Sequence, residues 1–163
     1  MSKKESILNN HYSIGVKLMV AWYGIFQAVH VVFNTLYFPR QGTPIPFPSP
    51  PDGWSPQVVN FLMGITAGDL VNAILALVFV YGYFTKTQWS MWLGTMTLSI
   101  SMYAAVVFTL GTIAMGAWAG NLFGYLWSYI LFIPVVILFI LFGVWAARGK
   151  LLDDSTKANG DIG

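Results

Sequence analysis

Long runs of apolar residues, separated by short polar segments, dominate the chain. Four of these runs reach the roughly 20 residues that an α-helix needs to cross the hydrocarbon core of a membrane. They lie at about residues 13–38, 57–84, 89–118 and 122–147. The pattern predicts an all-α fold, a four-helix transmembrane bundle that forms a single integral-membrane domain over residues 1–163.

Two features of the chain place the boundaries between the spans. Residues 39–56 hold seven of the eight prolines, and prolines at this density exclude a regular helix. This segment is therefore expected to be an external loop. Residues 87–147 contain no Asp, Glu, Lys or Arg, and this run is long enough for two spans. Its glycine-rich stretch at 117–124 is the expected break.

The basic residues near the span ends predict the orientation of the bundle, because cytoplasmic loops carry an excess of Lys and Arg. One side of the predicted bundle has only Arg40. The other side collects Lys3, Lys4, Lys17, Lys86, Arg148 and Lys150. Both termini are therefore expected in the cytoplasm.

Composition narrows the possible functions. Only 9% of the residues are charged, against about 25% in soluble domains, which supports an integral, multi-pass membrane protein. A net charge of +2 without a basic stripe argues against nucleic-acid binding. The chain has no Cys, which excludes disulfides and thiolate-bound metals. Its two histidines are expected at different depths, so neither a metal site nor a cofactor is predicted.

Polar residues recur within the spans at helical spacing, and such side chains face a bundle interior rather than lipid. The stripes predicted to face inward are Tyr23, Gln27, His30 and Asn34 in the first span, Thr66, Asp69 and Asn72 in the second, Thr95, Ser99 and Tyr103 in the third, and Asn121, Tyr125, Ser128 and Tyr129 in the fourth. Trp22, Trp89, Trp92 and Trp145 are expected in an interfacial belt.

Asp69 is the only acidic residue inside the predicted spans. A carboxylate at bilayer depth costs several kcal/mol unless it is paired, wetted or protonated. It could be a structural pin, hydrogen-bonded to neighbouring helices, or a functional group in a pocket. We interpret Asp69 and His30 as a candidate catalytic acid–base pair. The candidate ligand-binding residues are Gln27, Asn34, Asn72, Tyr103, Tyr125, Trp127 and Tyr129.

Three short stretches of the chain are similar to one membrane family. They are residues 26–34 (FQAVHVVFN), 68–72 (GDLVN) and 125–134 (YLWSYILFIP). The chain resembles the EXPERA family over about residues 18–145; this family includes a sterol isomerase, the emopamil-binding protein, and the sigma-2 receptor. The resemblance implies four spans around a pocket for a sterol-like or isoprenoid-like molecule. It matches His30, Asp69 and Trp127 to family positions.

The chain departs from the isomerase at Asn34, where the isomerase has a second carboxylate. Binding without catalysis therefore remains open beside isomerisation of an apolar lipid by acid–base chemistry at Asp69 and His30. A non-catalytic small subunit of a larger membrane complex and a small dimeric proton-coupled transporter are the alternatives. The expected partners are the lipid bilayer and an apolar small molecule or lipid, with a homodimer or a larger complex possible.

Overall fold

The computed structural model describes residues 13–37 and 56–160, and this part of the chain is helical. The helices are α1 (Ile14–Tyr37), α2 (Pro56–Phe84), α3 (Ser90–Ala114), α4 (Ala117–Gly120) and α5 (Leu122–Gly160). All but α4 are long and apolar enough to cross a membrane. The predicted all-α architecture is therefore confirmed, with four helices long and apolar enough to be spans, and it fits an integral, multi-pass membrane protein.

Two of the sequence predictions are not tested by the described residues. The proline-rich loop lies outside them except for Pro56, which begins α2. Proline suits a first helical position because its missing N–H would have no partner there. The cytoplasmic position of the termini stays a prediction.

The third span ends earlier than its predicted limit at residue 118. Helix α3 stops at Ala114, and Gly116 then adopts a left-handed conformation with a φ of 70°. Glycine adopts this conformation without steric cost because it has no Cβ. The N–H of Gly116 bonds to the carbonyl of Ile113 over 2.9 Å, which closes the last turn. The predicted end was wrong because a glycine two residues beyond α3 turns the chain into the separate short helix α4.

The long helices pack in the order α1, α2, α3, α5 around the bundle, and α5 closes the ring against α1. One end of the bundle carries the turn between α2 and α3, and we call it the turn end. The opposite end carries α4, and we call it the α4 end. At the turn end, Lys86 takes a φ of 58°, and Oγ1 of Thr87 donates to the carbonyl of Gly82 over 3.1 Å.

The half of the bundle nearer the turn end is a packed core. Its largest buried side chains are aromatic: Phe79 meets Phe142 edge to face, with ring centroids 5.4 Å apart, and Tyr23 and Tyr83 pack around them. Trp145 belongs to this core with 8% of its surface exposed, so its predicted place in an interfacial belt was wrong.

Gly94 allows α3 to approach this aromatic pair. A Cβ at Gly94 would lie 2.5 Å from Phe79 and 2.7 Å from Phe142. We therefore expect Gly94→Ala to lower the free energy of unfolding by about 1–3 kcal/mol through overpacking. Gly143→Ala is the control, since a Cβ there meets nothing within 4 Å. Thermal unfolding of both variants in mild detergent checks the prediction, and equal melting temperatures would contradict it.

Candidate functional site

The half of the bundle nearer the α4 end contains a cavity of about 420 Å³. Its wall comes from α1, α2, α3 and α5 and is mostly apolar, with Phe33, Phe108 and Phe132 among its aromatic residues. Ligand pockets in proteins commonly measure about 300–1,000 Å³ and have apolar walls with a few placed polar groups. The cavity matches that description in volume and in lining.

Asp69 and two side chains of α1 form a polar cluster on the cavity wall, which we call the acid cluster. Asn34 donates a hydrogen bond from Nδ2 to Oδ2 of Asp69 over 2.8 Å. Nδ1 of His30 lies 3.3 Å from the same oxygen, within ion-pair distance but without the alignment of a hydrogen bond. The side chains of His30 and Asp69 are 34% and 16% exposed. Helix α1 thus holds the carboxylate while leaving it open to the cavity.

The position of Asp69 decides which nitrogen of His30 is available for chemistry. A carboxylate beside Nδ1 favours the tautomer that carries its proton there. Nε2 then keeps a lone pair. Nε2 has no hydrogen-bond partner among the described residues, and surrounding atoms do not fully enclose it. His30 therefore presents a base at the wall of the cavity, and Asp69 is placed to stabilise the imidazolium that forms when this base takes a proton.

A second polar cluster lies about one helical turn nearer the turn end, and we call it the Ser101 cluster. Oγ of Ser101 lies 2.9 Å from the hydroxyl of Tyr23, 3.1 Å from Nε2 of Gln27 and 3.0 Å from Nδ2 of Asn72. The two amide groups donate into both lone pairs of the serine, so its own proton goes to Tyr23. Oε1 of Gln27 and Oδ1 of Asn72 are enclosed and have no donor among the described residues.

Six of the nine predicted site residues line the cavity: Gln27, His30, Asn34, Asp69, Tyr125 and Tyr129. The other three do not. Asn72 is buried behind the wall in the Ser101 cluster. Tyr103 is 71% exposed and Trp127 is 52% exposed, and both face away from the bundle interior. The structure thus brings the candidate acid–base pair together and leaves Tyr103 and Trp127 apart from it.

The inward face of α3 differs from its prediction. Ser99 and Tyr103 are exposed, whereas Thr97 and Ser101 are buried, so the predicted stripe was wrong. Ser101 is the polar residue that the sequence reasoning missed, although its spacing of four residues from Thr97 offered a signal.

Trp22 also differs from its predicted place in an interfacial belt. It lines the cavity, and its Nε1 donates to the carbonyl of Leu131 over 2.9 Å. This hydrogen bond ties α1 to α5 beside the cavity.

Aromatic residues support the cavity wall nearest the α4 end. Trp118 of α4 stacks on Tyr125 with ring centroids 5.1 Å apart and planes within 12°. Its Nε1 donates to Oγ1 of Thr112 over 3.0 Å. The hydroxyl of Tyr129 is hydrogen-bonded to Oγ1 of Thr109. The short helix α4 therefore fixes the tyrosine rings that face the cavity.

The cavity reaches the surface of the bundle along α1. Ile25 and Val29 both line it, yet they are 60% and 44% exposed. They follow Trp22 at spacings of three and seven residues and so share its helix face toward α5. Both lie near the middle of α1, at the depth of the hydrocarbon core if the helix spans a bilayer.

Together these features define the class of protein, a multi-pass, membrane-type helical bundle with an internal cavity. The cavity occupies the half of the bundle nearer the α4 end, and its wall carries one carboxylate and one histidine. No protein-family model, curated protein or solved structure matches the chain. The resemblance to the EXPERA family therefore stays a prediction.

Proposed function

We propose that the chain binds a lipid-soluble molecule in the cavity and exchanges a proton with it through His30, which Asp69 orients. The single observation that carries this proposal is the pairing of Nδ1 of His30 with Oδ2 of Asp69 at 3.3 Å on the wall of an otherwise apolar cavity. A carboxylate and an imidazole are the common general acids and bases of enzymes.

Isomerisation of a carbon–carbon double bond is the reaction class that this pair and the resemblance favour. Such a reaction adds a proton to one carbon and removes a proton from another, so it needs neither an oxidant nor a second substrate. Protonation of Nε2 first converts His30 to the imidazolium, which gives this proton to one carbon of the ligand. The neutral Nε2 then accepts the proton that the other carbon releases. Between the two steps the ligand is a cation, which the Asp69 carboxylate and the faces of the wall's aromatic rings stabilise.

The opening of the cavity supports a ligand that arrives from the bilayer. Ile25 and Val29 place the opening near the middle of α1, where a spanning helix meets hydrocarbon rather than water. A water-soluble substrate would have to enter lipid before it reached this opening. A sterol-like or isoprenoid-like molecule is already dissolved there.

Filling the cavity tests whether it is the binding site. Ala105 lines it, and we expect Ala105→Phe to reduce labelling by diazirine derivatives of cholesterol and of farnesol at least roughly tenfold, since the ligand must displace the added ring. Val106→Phe is the matched control, because Val106 is the next residue of α3 and is 51% exposed. Photolabelling is measured by mass spectrometry in lipid nanodiscs. Equal labelling of both variants would refute cavity binding.

A further inference from the structure

The hydroxyl of Thr66 lacks the hydrogen bond that a threonine inside an apolar helix usually makes. Within the described part of the chain its Oγ1 makes no hydrogen bond, and it is not enclosed. Hydroxyls in α3 and α5 instead donate to a backbone carbonyl one turn earlier. Thr95 does so over 2.9 Å, Thr112 over 2.7 Å and Ser128 over 3.0 Å. This back-bonding is the usual way for a hydroxyl to be satisfied in an apolar helix.

Thr66 lines the cavity and its unpaired Oγ1 is not enclosed, so we take this hydroxyl to be available to a ligand. A polar group left without a partner in apolar surroundings is unfavourable. The two serines on the cavity wall, Ser101 and Ser128, are both hydrogen-bonded within the protein. Thr66 therefore stands out among the serine and threonine hydroxyls of the cavity wall as a group that a ligand can satisfy.

Asp69 presents a second unused atom beside Thr66. The two residues are three apart on α2, which puts their side chains on the same face and one turn apart. Asn34 and His30 both approach Oδ2 of Asp69. Oδ1 has no partner among the described residues and is not enclosed. The wall thus offers an acceptor at Asp69 Oδ1 and a hydroxyl at Thr66 within reach of one ligand group.

We propose that the ligand is a neutral lipid alcohol whose hydroxyl donates to Oδ1 of Asp69 and accepts from Oγ1 of Thr66. This assignment rests on the proposed function and names the headgroup that the cavity selects. An alcohol has one donor and two acceptor lone pairs, so it satisfies both atoms. An ether has no proton for Asp69. An ammonium group has no lone pair for the Thr66 proton, and a carboxylate is repelled by Asp69.

Three probes that share one C15 tail separate these headgroups: farnesol, farnesyl methyl ether and farnesylamine. Their affinities are measured by competition against the farnesol photoprobe on the full chain in nanodiscs. We expect farnesol to bind at least roughly tenfold more tightly than the ether, because the ether leaves the carboxylate oxygen without its donor. An ether that binds as well as farnesol overturns the alcohol assignment, and so does an amine whose affinity falls as much as that of farnesol in Thr66→Val, because an ammonium group cannot accept the Thr66 proton.

Variants of Thr66 test the second contact. Thr66→Val has nearly the same shape and breaks no bond within the protein, so we expect it to fold. It should lower the affinity for farnesol several-fold and leave that for the ether unchanged, and Thr66→Ser should restore the preference. Thr35→Val is the matched control, since Thr35 is exposed on α1 and should not alter either affinity. An unchanged preference in Thr66→Val overturns the role of Thr66.

The outcomes also separate this inference from the proposed function. If the three probes bind equally well and Ala105→Phe abolishes all three, the cavity binds lipid and the headgroup assignment is wrong. If Ala105→Phe leaves the binding of all three unchanged, the cavity is not the binding site and the proposed function fails together with the inference.

Discussion

Asp69→Asn is expected to slow proton exchange between the protein and a bound unsaturated lipid by at least about a hundredfold, the lower limit that general acid–base groups commonly contribute. The carboxylate oxygen Oδ2 faces both Nδ2 of Asn34 and Nδ1 of His30. The oxygen of an asparagine in place of Oδ2 carries no negative charge to stabilise the imidazolium of His30, and when the amide is turned over its N–H₂ group meets Nδ1 instead. That contact would favour the other histidine tautomer, with the proton on Nε2 and no base toward the cavity.

The measurement is deuterium incorporation from heavy water into farnesol or cholesterol held in nanodiscs, followed by mass spectrometry. His30→Gln should show a similar loss, because it removes the group that carries the proton. Tyr103→Phe is the control: its ring is 71% exposed on the outside of the bundle, so the exchange rate should not change. Melting temperatures close to that of the original protein show that the variants are folded. Exchange that survives in Asp69→Asn would contradict the assigned roles.

The four spans could be predicted from the sequence because length and apolarity alone decide them. A segment of about 20 apolar residues satisfies its backbone hydrogen bonds only as a helix within a bilayer. Three of the predicted spans fall on α1, α2 and α5. The end of α3 could not be placed, because Gly116 lies in an apolar run with no charge to mark the turn.

The acid cluster was predictable because its members cannot be satisfied on a lipid-facing surface. His30, Asn34 and Asp69 have no way to close all their hydrogen bonds on their own helix, so they had to meet across α1 and α2. The hydroxyls of α3 do not need a partner on another helix. Thr95 and Ser99 donate to carbonyls of their own helix over 2.9 and 2.8 Å, and so they tolerate a lipid-facing position.

The polarity of the residues of α3 therefore does not decide which face of this helix points into the bundle. The stripe of Thr95 and Ser99 and the stripe of Thr97 and Ser101 differ by two residues, which is about 200° around a helix. What decides between them is packing: Gly94, on the buried side, admits the rings of Phe79 and Phe142. That fit depends on the other helices and is not visible in the sequence of α3 itself.

Ser101→Ala is expected to destabilise the bundle more than other single hydroxyl deletions in α3. The serine oxygen receives N–H groups from Gln27 and Asn72 and is bonded to Tyr23, and these three residues are each no more than 1% exposed. Losing it leaves three buried polar groups short of a partner. Interhelical hydrogen bonds in membrane proteins average about 0.6 kcal/mol each, whereas an orphaned buried group costs about 1–3 kcal/mol. We therefore expect a loss of about 2–4 kcal/mol.

Ser99→Ala separates this effect from the loss of a hydroxyl in general. Ser99 lies on the same helix two residues away, is exposed, and bonds only to the carbonyl of Thr95, so its removal should change the stability little. Unfolding of both variants in a denaturing detergent gives the free energies. Equal stabilities would contradict the central role of Ser101. Adding Asn72→Leu to Ser101→Ala should partly restore the stability, and this result would support the central role of Ser101. The reason is that the apolar replacement removes one of the groups that the missing oxygen leaves unpaired.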